Sequence, residues 1–275
     1  MATIEERAGG RPAERIRVVR VRDGVRSEIP DLLAAEEPLE VRLNGESVSV
    51  TMRTPGHDTE LAVGFLIGEG IVRADQIANV LECRSEEGDG GVADVKLRPG
   101  EHASGGWQRN FYATSSCGVC GKASIDAVRV AAGAVPDGPE IERDVLQGLP
   151  EQLRSAQRVF DRTGGLHAAG LFSPDGELEI LREDVGRHNA VDKVVGRSSL
   201  DGRLPLNDRV LLVSGRVSFE IAQKALVAGI PFLAAVSAPS TLAVRLARES
   251  NMTVVGFLRS GGFNVYAGEE RVASL

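Results

Sequence analysis

Cys117 and Cys120 are the residues of this chain best suited to covalent chemistry. They stand in the run Ser116-Cys-Gly-Val-Cys-Gly121, just before a helix predicted from about Ser124 to Ala132. The N-terminal end of a helix carries a partial positive charge that stabilises a thiolate, the reactive form of cysteine. Two thiols at this spacing can ligate zinc, exchange with a disulfide or carry sulfur as a persulfide. The residues alone leave these three chemistries open.

Zinc ligation by this pair lacks a second set of ligands. A structural zinc site needs about four ligands, whereas Cys83, His167 and His188 are isolated along the chain. A zinc deaminase is disfavoured because none of the four histidines has a glutamate two residues later. Thioredoxin-type exchange would place the pair early in a small βαβ domain, but about a hundred residues of a different pattern precede it. The flanking glycines also disfavour two merely buried thiols.

A second cluster of polar residues lies in the segment Glu183–Lys193, at a predicted strand-to-helix junction. Free backbone N–H groups near Gly186 could hold an anion together with three side chains: Arg187, His188 and Lys193. The alternative is an ordinary helix start that is capped by Asp184 and Asn189, with Arg187 and Lys193 in solvent. Both interpretations remain open from the residues.

Two more segments follow predicted parallel strands, namely Ser214-Gly-Arg216 and Arg259-Ser-Gly-Gly262. Ligands of open α/β folds bind outside the carboxyl ends of the strands. Both segments are therefore candidate ligand contacts, and ordinary turns are the alternative. Lys224 lies one helical turn after Glu220, and this spacing predicts a surface ion pair.

The N-terminal part of the chain is predicted to be rich in β-strands. Alternating apolar and polar residues predict four strands: Ile16–Val21, Leu39–Leu43, Ser47–Met52 and Val92–Leu97. The pair Asn44-Gly45 favours a two-residue hairpin turn. The apolar run Leu61–Ile67 predicts a helix that ends at Gly68. Cys83 is expected to be a buried strand residue.

The C-terminal part is predicted to alternate helices and strands. Helical spacing of apolar residues runs from Ile141 to Phe160, with Pro150 beginning a second helix. Strands are predicted at His167–Phe172, Glu177–Leu181, Arg209–Val213, Pro231–Val236, Thr253–Leu258 and Phe263–Tyr266. Helices are predicted at Asn189–Val195, Ser218–Ala228 and Thr241–Glu249. This alternation predicts an α/β fold in which helices cover a mixed, largely parallel sheet.

Composition and charge exclude several classes of protein. The 275 residues, of which 42% are hydrophobic, can bury a sizeable core in one or two domains. With 32 basic and 39 acidic residues, the net charge of −7 does not favour binding of nucleic acid or anionic lipid. No run approaches the roughly 20 apolar residues of a membrane helix, and the N-terminus lacks the apolar core of a secretory signal. Three cysteines, an odd number, argue against a disulfide framework. A cytoplasmic location is therefore expected.

Seven short motifs are spread along the chain. Five of them lie in the C-terminal part: Ser116-Cys-Gly-Val-Cys-Gly121, Thr163-Gly-Gly-Leu-His-Ala-Ala169, Asp184-Val-Gly-Arg-His-Asn-Ala-Val-Asp-Lys193, Ser214-Gly-Arg216, and Gly256-Phe-Leu-Arg259 through Phe263-Asn-Val-Tyr266. Two lie earlier: Arg53-Thr-Pro-Gly-His-Asp-Thr-Glu60 and Gly64-Phe-Leu-Ile-Gly-Glu-Gly70. In sequence and order, these motifs resemble those of the formate dehydrogenase accessory sulfurtransferase family, FdhD. The resemblance covers nearly everything from about residue 16 to 270.

The resemblance implies a fold and a domain organisation. The family has a cytidine deaminase-like C-terminal core and a smaller N-terminal β-rich region. The expected division is a disordered leader at residues 1–15, a β-rich region at 16–112 and an α/β sulfurtransferase domain at 113–275. Members of the family are dimeric, so a homodimer is expected.

The resemblance also implies an activity. Members take sulfur from a cysteine desulfurase and pass it to the bis-molybdopterin guanine dinucleotide cofactor, which carries molybdenum or tungsten and is needed by formate dehydrogenase. The cysteine that carries the persulfide maps to Cys117, and the second cysteine of the pair maps to Cys120. A non-catalytic chaperone that binds the cofactor is the alternative.

Residues for binding the cofactor follow in the same way. The family's cofactor-binding segment maps onto six residues: Phe257, Leu258, Arg259, Ser260, Gly261 and Gly262. The family often has a basic residue where this chain has Gly262. The phosphates of the cofactor need cationic neighbours, for which Arg216 and His188 are further candidates beside Arg259. No metal ligated directly by side chains is expected.

Overall fold

A computed structural model describes residues 10–84, 90–104 and 133–274. Cys117, Cys120 and the helix predicted at 124–132 lie outside the described residues. The predicted boundary at residue 112 and most of the predicted leader lie outside them too.

The first described elements form an antiparallel hairpin. β1 (Ala13–Arg22) pairs with β2 (Val25–Ala34) along its whole length. Asp23 and Gly24 turn the chain with φ values of 49° and 79°, and an Asp-Gly pair favours such a turn. β1 confirms the first predicted strand but begins earlier, inside the segment assigned to the leader. The sequence does not predict β2, because Pro30 interrupts its apolar pattern.

A four-stranded sheet follows, with the strand order β4-β3-β6-β5. Its strands are β3 (Glu37–Leu43), β4 (Glu46–Arg53), β5 (Ile77–Arg84) and β6 (Gly91–Leu97). Asn44 and Gly45 have φ values of 52° and 92° and confirm the predicted hairpin. Cys83 lies in β5 as a strand residue, but it is exposed. The expected burial was wrong, because β5 is an edge strand with residues 81–83 in contact with solvent.

A six-stranded sheet forms the centre of the C-terminal part, with the order β13-β12-β11-β10-β8-β9. The strands are β8 (His167–Phe172), β9 (Leu178–Asp184), β10 (Val210–Val213), β11 (Phe232–Ala235), β12 (Thr253–Arg259) and β13 (Gly262–Ala267). A short parallel pair joins β7 (Ile141–Glu142) to β14 (Val272–Ala273). Within the described six-stranded sheet, only the pairs β10–β11 and β11–β12 are parallel. The sheet is thus mixed, as predicted, but it is not largely parallel. The likeness of this core to cytidine deaminase stays a prediction.

Six α-helices lie within the described ranges. They are α1 (Asp58–Gly68), α2 (Arg143–Ala156), α3 (Arg158–Thr163), α4 (Arg187–Leu200), α5 (Phe219–Val227) and α6 (Thr241–Glu249). Pro150 lies inside α2 and does not begin a second helix. The reason is the apolar stripe of Leu146, Leu149 and Leu153, which is buried without a break across the proline and outweighs the lost backbone hydrogen bond.

Alternating residues of the central strands face two separate cores. Leu211 and Val213 face the core that contains α4 and α5, whereas Val210 and Leu212 face the core built from α2. This alternation follows from the two-residue period of a strand. The first of these cores also includes Leu39 and Leu61, so apolar packing continues from the N-terminal sheet into the C-terminal part.

Two glycines let α1 and α4 cross at close range. A Cβ atom on Gly64 would lie 1.8 Å from the carbonyl oxygen of Asp192, and one on Gly196 would lie 1.8 Å from that of Glu60. Both obstacles are backbone atoms, so only residues without a side chain fit at this crossing. The crossing fixes α4, and with it the segment that begins at Gly186, against the N-terminal part.

Glu60 and Arg182 connect α1 to β9. Two nitrogens of Arg182 donate to the two carboxylate oxygens of Glu60, at 2.5 and 2.7 Å. His57 Nδ1 lies 3.5 Å from Glu60 Oε2. Burial alone would raise the pKa of Glu60, but hydrogen bonds from Arg182 and His57 outweigh it and lower the pKa to about 2.

We expect Glu60→Gln to destabilise the protein at neutral pH and to flatten its acid denaturation. The folded-state pKa lies below the ordinary value of 4.5, so the unfolded chain takes up the proton first on acidification. The stabilisation is therefore complete above about pH 4.5 and is lost as the pH falls towards about 2. It amounts to about 3 kcal/mol. Urea unfolding measured from neutral to acidic pH checks this, with the exposed Glu36→Gln as control. Parallel acid dependence in wild type and Glu60→Gln would contradict it.

Candidate functional site

A cleft of about 700 Å³ opens at the carboxyl edge of the central sheet. Its floor is made by residues at successive strand ends: Ser214 after β10, Val236 after β11, Arg259 at the end of β12, and His167 at the start of β8. β8 runs antiparallel to β10, so its first residue comes to the same edge as the last residues of its neighbours. The topology thus confirms that Ser214 and Arg259 meet at one edge.

Helices α2 and α3 form the opposite wall of the cleft, which the sequence did not indicate. Arg154 of α2 lies over the ring of Phe160 of α3, with its guanidinium carbon 4.8 Å from the ring centroid. Both residues line the cleft. Arg154 also pairs with Asp161 at 2.5 Å, so the wall offers an apolar surface and a cation whose charge is already compensated.

The segment proposed to bind the cofactor leaves β12 through an irregular stretch. Phe257 has φ of 53° and is 46% exposed, an unusual backbone conformation for an aromatic residue. It follows Gly256, whose Cβ would lie 2.8 Å from Pro239. Leu258, by contrast, is fully buried in the core of α2, so only its backbone can reach a ligand. A β-bulge between Gly256 and Arg259 interrupts the strand here, so that Phe257 is exposed and Leu258 is buried.

Arg259 and the glycines after it form the tip of the β12–β13 turn. The Arg259 guanidinium donates to the carbonyls of Val236 and Leu258, the latter at 2.8 Å. These bonds hold its stem at the ends of β11 and β12 while leaving other guanidinium nitrogens for a ligand. Ser260 lines the cleft beside it. Gly262 has φ of +153°, a conformation in which a basic side chain would be strained.

Arg216 follows β10, which is separated from the strand of Arg259 by β11. It is exposed, and no ion pair links it to another described residue. The loop that carries it is fixed through Ser214, whose backbone N–H donates to the Ala168 carbonyl at 2.9 Å and whose hydroxyl accepts from the Ala168 N–H at 2.9 Å. The hydrogen bonds of Ser214 therefore hold the loop in place, while the Arg216 guanidinium has no ion pair with another described residue.

His188 does not supply the expected positive charge. Its Nε2 lies 3.2 Å from the hydroxyl of Ser218 and 3.8 Å from a carboxylate oxygen of Glu220. Burial lowers the pKa of His188 to about 4, helped by the charges of Lys224 and Arg187. The imidazole is consequently neutral at pH 7. The expectation that His188 is a cationic neighbour of the phosphates was therefore wrong about its charge.

Lys193 is neither in solvent nor available to an anion. It is 1% exposed, and its Nζ lies 2.7 Å from Asp184 Oδ2 and 2.9 Å from the Thr54 carbonyl. The other oxygen of Asp184 accepts from the Gly186 N–H at 2.8 Å. Asp184 therefore holds the start of α4, and the anion site predicted around Lys193 was wrong because that charge is already paired.

Lys224 is likewise buried, and its expected surface pair with Glu220 was wrong. Its Nζ lies 2.8 Å from Asp192 and 3.2 Å from Glu69. Burial opposes the charged form, but the carboxylates of Asp192 and Glu69 outweigh it and raise the pKa of Lys224. The three residues link α5, α4 and the end of α1 within the core.

A larger cleft, of about 1020 Å³, lies between α1, α3 and β9. Several charges in its lining are paired, as in Glu60 with Arg182 and Lys193 with Asp184, whereas Arg158 has no ion pair with a described residue. Of the two arginines that line the smaller cleft, Arg154 pairs with Asp161, whereas Arg259 has no carboxylate partner within the described part of the chain. Its position at the carboxyl ends of the strands makes the smaller cleft the better candidate for an anionic ligand. Among described residues, no group of three or more His, Cys, Asp or Glu side chains is arranged to hold a metal ion.

Comparison with known proteins decides the family. The model of the FdhD/NarQ family matches residues 34–273. The chain belongs to this family. The FdhD/NarQ match extends over both sheets and over the segment with Cys117 and Cys120, whose placement lies outside the described residues.

Relatives within the FdhD/NarQ family are similar in sequence to this chain over nearly its full length. "Sulfur carrier protein FdhD" of Streptomyces avermitilis is 58% identical over 273 residues, which cover 96% of this chain and 97% of that protein. The protein of the same name from Sulfolobus acidocaldarius is 40% identical over 258 residues, covering 94% and 98%.

A solved structure from Desulfotalea psychrophila, of a candidate formate dehydrogenase accessory protein, has a TM-score of 0.74 and 27% identity. It covers 94% of this chain and 99% of its own. The fold described above is therefore found in a crystal structure of a similar protein. None of the helices in the described ranges has the length and apolar character needed to cross a membrane.

Proposed function

We propose that this protein is a sulfur carrier in the maturation of formate dehydrogenase. The observation that carries the proposal is the 58% identity to a protein named as a sulfur carrier, spread over 96% of the chain. The chain supplies the chemistry that such a role needs, a Cys-x-x-Cys pair at Cys117 and Cys120. The cleft at the carboxyl edge of the sheet supports it as a place for an anionic acceptor.

The proposed donor is a cysteine desulfurase and the proposed carrier is Cys117. The Cys117 thiolate attacks the terminal sulfur of the desulfurase persulfide; a new S–S bond forms, and the desulfurase cysteine leaves as a thiolate. Cys120 thiolate then attacks the inner sulfur of the Cys117 persulfide. The terminal sulfur leaves as sulfide for the acceptor, and the resulting Cys117–Cys120 disulfide is reduced by an external dithiol.

The proposed acceptor is the bis-molybdopterin guanine dinucleotide cofactor, carrying molybdenum or tungsten as the substrate metal. Arg259 and Arg216 lie at strand ends on the same edge of the sheet, with β11 between their strands, and suit its phosphates. The exposed ring of Phe257 offers an apolar surface for a planar group. Ser260, Gly261 and Gly262 expose backbone at the turn, and Leu258 contributes through its backbone. His188 could donate a hydrogen bond but no charge.

The proposal also covers the location of the protein, its oligomeric state, the fold of its core and its client. We place it in the cytoplasm as a homodimer with a cytidine deaminase-like core, with formate dehydrogenase as its client. It binds neither nucleic acid nor membrane in this proposal, and it ligates no metal directly through side chains.

A variant in which both Cys117 and Cys120 are alanine distinguishes a sulfur carrier from a cofactor-binding chaperone. A sulfur carrier requires the thiols, so we expect the wild type to activate cofactor-loaded formate dehydrogenase in the presence of desulfurase and cysteine, and the double variant to fail while still binding the cofactor. The measurement is formate oxidation together with a cofactor pull-down. Full activation by the double variant would overturn the sulfur-carrier proposal in favour of a cofactor-binding chaperone.

A further inference from the structure

The hairpin of β1 and β2 stands apart from the two larger sheets. Among the described strands, β1 and β2 pair only with each other, and no side chain of either strand is buried. Five large apolar side chains on them are 37–68% exposed, namely Ile16, Val19, Val21, Val25 and Leu33. A two-stranded hairpin with no further partner is only marginally stable in water. The described part of the chain therefore leaves the apolar side chains of this hairpin without a cover.

The free edges of the two strands differ. The two-residue turn Asp23-Gly24 makes Arg22 and Val25 a pair that exchanges backbone hydrogen bonds. Such pairs alternate with non-bonded ones along the ladder, so Arg17 and Pro30 form a non-bonded pair. The nitrogen of Pro30 then lies at the free edge of β2, where it donates no hydrogen bond. The odd-numbered residues of β1, by contrast, direct complete N–H and C=O groups outwards, so the edge of β1 is the one open to another strand.

The side chains of β1 restrict which strand can pair with this edge. The strand has one acid, Glu14, and four arginines, at positions 15, 17, 20 and 22. All five charged side chains are exposed, and none has an ion pair with a described residue. Like charges directly opposite each other destabilise a strand pair. A strand added to this edge must therefore place acidic or apolar residues opposite the arginines.

A second copy of β1, running antiparallel, meets this condition. Outward-facing residues must lie opposite each other in an antiparallel ladder, so the two-fold axis passes through a residue and not between two. An axis at Arg17 would put two arginines opposite each other. An axis at Val18 puts valine opposite valine and Glu14 opposite Arg22 of the partner subunit. An axis at Val19 leaves Glu14 with no opposite residue in β1.

The axis at Val18 also places each remaining apolar residue of β1 opposite an arginine. The three pairs are Val19 with the partner's Arg17, Ile16 with the partner's Arg20, and Val21 with the partner's Arg15. The aliphatic stem of an arginine covers apolar surface while its guanidinium stays in water. This register therefore covers the exposed apolar side chains of β1 and puts no two arginines directly opposite each other.

We propose that β1 is the dimerisation strand of this protein. Two copies pair antiparallel through their β1 edges about a two-fold axis at Val18, which joins their hairpins into one four-stranded sheet. A sheet of that size has the additional strands that a single hairpin lacks. The inference rests on the homodimer of the proposed function and assigns the surface through which it forms.

Disulfide formation at the axis tests the register. In the full chain with Cys83, Cys117 and Cys120 replaced by serine, Val18→Cys places two thiols on opposite strands with their Cα atoms about 4.5 Å apart, a separation that a disulfide spans. Oxidised glutathione accepts the two electrons and two protons that the thiols lose. We expect most of the Val18→Cys chain to run as a covalent dimer in non-reducing electrophoresis. Val25→Cys on β2, where the valine is 68% exposed, is the matched control and should run as a single chain.

Charge reversal tests the pairing of Glu14 with Arg22. Either Glu14→Arg or Arg22→Glu puts like charges opposite each other at two symmetric places, so each should raise the dissociation constant of the dimer about tenfold in sedimentation at low salt. An equimolar mixture of the two variants restores both pairs of opposite charge and should dimerise like the wild type. Glu28→Arg makes the same change of charge on β2 and should leave the dissociation constant unchanged.

The outcomes separate the interface from the wider proposal. If the wild type is a dimer, but Val18→Cys cross-links no better than Val25→Cys or the mixed charge variants fail to recover, the assigned interface is overturned while the homodimer stands. A wild type that stays monomeric at micromolar concentration overturns both. Uptake of sulfur by Cys117 is measured by mass and tests the sulfur-carrier proposal independently of the oligomeric state.

Discussion

Replacement of Cys117 by alanine is expected to abolish the uptake of sulfur from a cysteine desulfurase. The wild type should gain the mass of one sulfur atom on incubation with desulfurase and free cysteine, and dithiothreitol should remove it. Alanine has no thiolate to attack the donor persulfide, so Cys117→Ala should gain nothing. Intact-protein mass spectrometry measures the difference directly.

The other cysteines provide matched controls for this result. Cys120→Ala should still take up sulfur and should hold it longer, because the thiolate that would release it is gone. Cys83→Ala removes an exposed thiol on β5 and should load like the wild type. If Cys120→Ala fails to load while Cys117→Ala succeeds, the assigned roles are reversed, and if both load equally, neither cysteine is the carrier.

The elements of the C-terminal part could be predicted because their signals are local. Apolar runs of four to seven residues and the turn residues between them mark the strands that end at Val213 and Arg259. The direction of the strands was harder to predict, because the apolar periodicity is the same in parallel and antiparallel pairs. The two-residue link from Arg259 to Gly262 could have indicated an antiparallel partner for β12, because parallel neighbours need a long crossover.

Charge partners could not be predicted, because they come from distant parts of the chain. Lys224 has Glu220 one turn away in sequence, yet its partners are Asp192 on α4 and Glu69 just after α1. Lys193 pairs with Asp184 and is thereby removed from the anion site to which its sequence neighbours Arg187 and His188 pointed. Burial inverts the expected role of each lysine, and burial depends on how α1, α4 and α5 pack.

His167 was missed as a site residue for a similar reason. In the sequence it is an isolated histidine before an apolar strand. It reaches the cleft only because β8 is antiparallel to β10 and begins at the edge where β10 ends. The glycine that leaves room for it, Gly215, is on the adjacent strand end. Only the registered sheet brings the three residues Gly215, His167 and Arg187 together.

Gly64→Ala is expected to destabilise the protein by about 3 kcal/mol or more, which is large for the addition of one methyl group. The new Cβ would lie 1.8 Å from the Asp192 carbonyl oxygen and 2.6 Å from its carbonyl carbon. These are backbone atoms of α4, so no side-chain rotation relieves the clash, and the whole helix must move. Such a shift would also strain the buried pair of Asp192 with Lys224, which packs beside the same crossing.

Gly148→Ala is the matched control, since it makes the same substitution inside helix α2 with nothing within 4 Å of the new Cβ. There the usual preference of helices for alanine over glycine should apply, with a gain of about 1 kcal/mol. Urea unfolding of both variants therefore gives shifts of opposite sign if the crossing of α1 and α4 is as close as described. An unfolding midpoint of Gly64→Ala equal to that of the wild type would show that the two helices are further apart, and the fixed position of α4, on which the placement of Arg187 depends, would have to be abandoned.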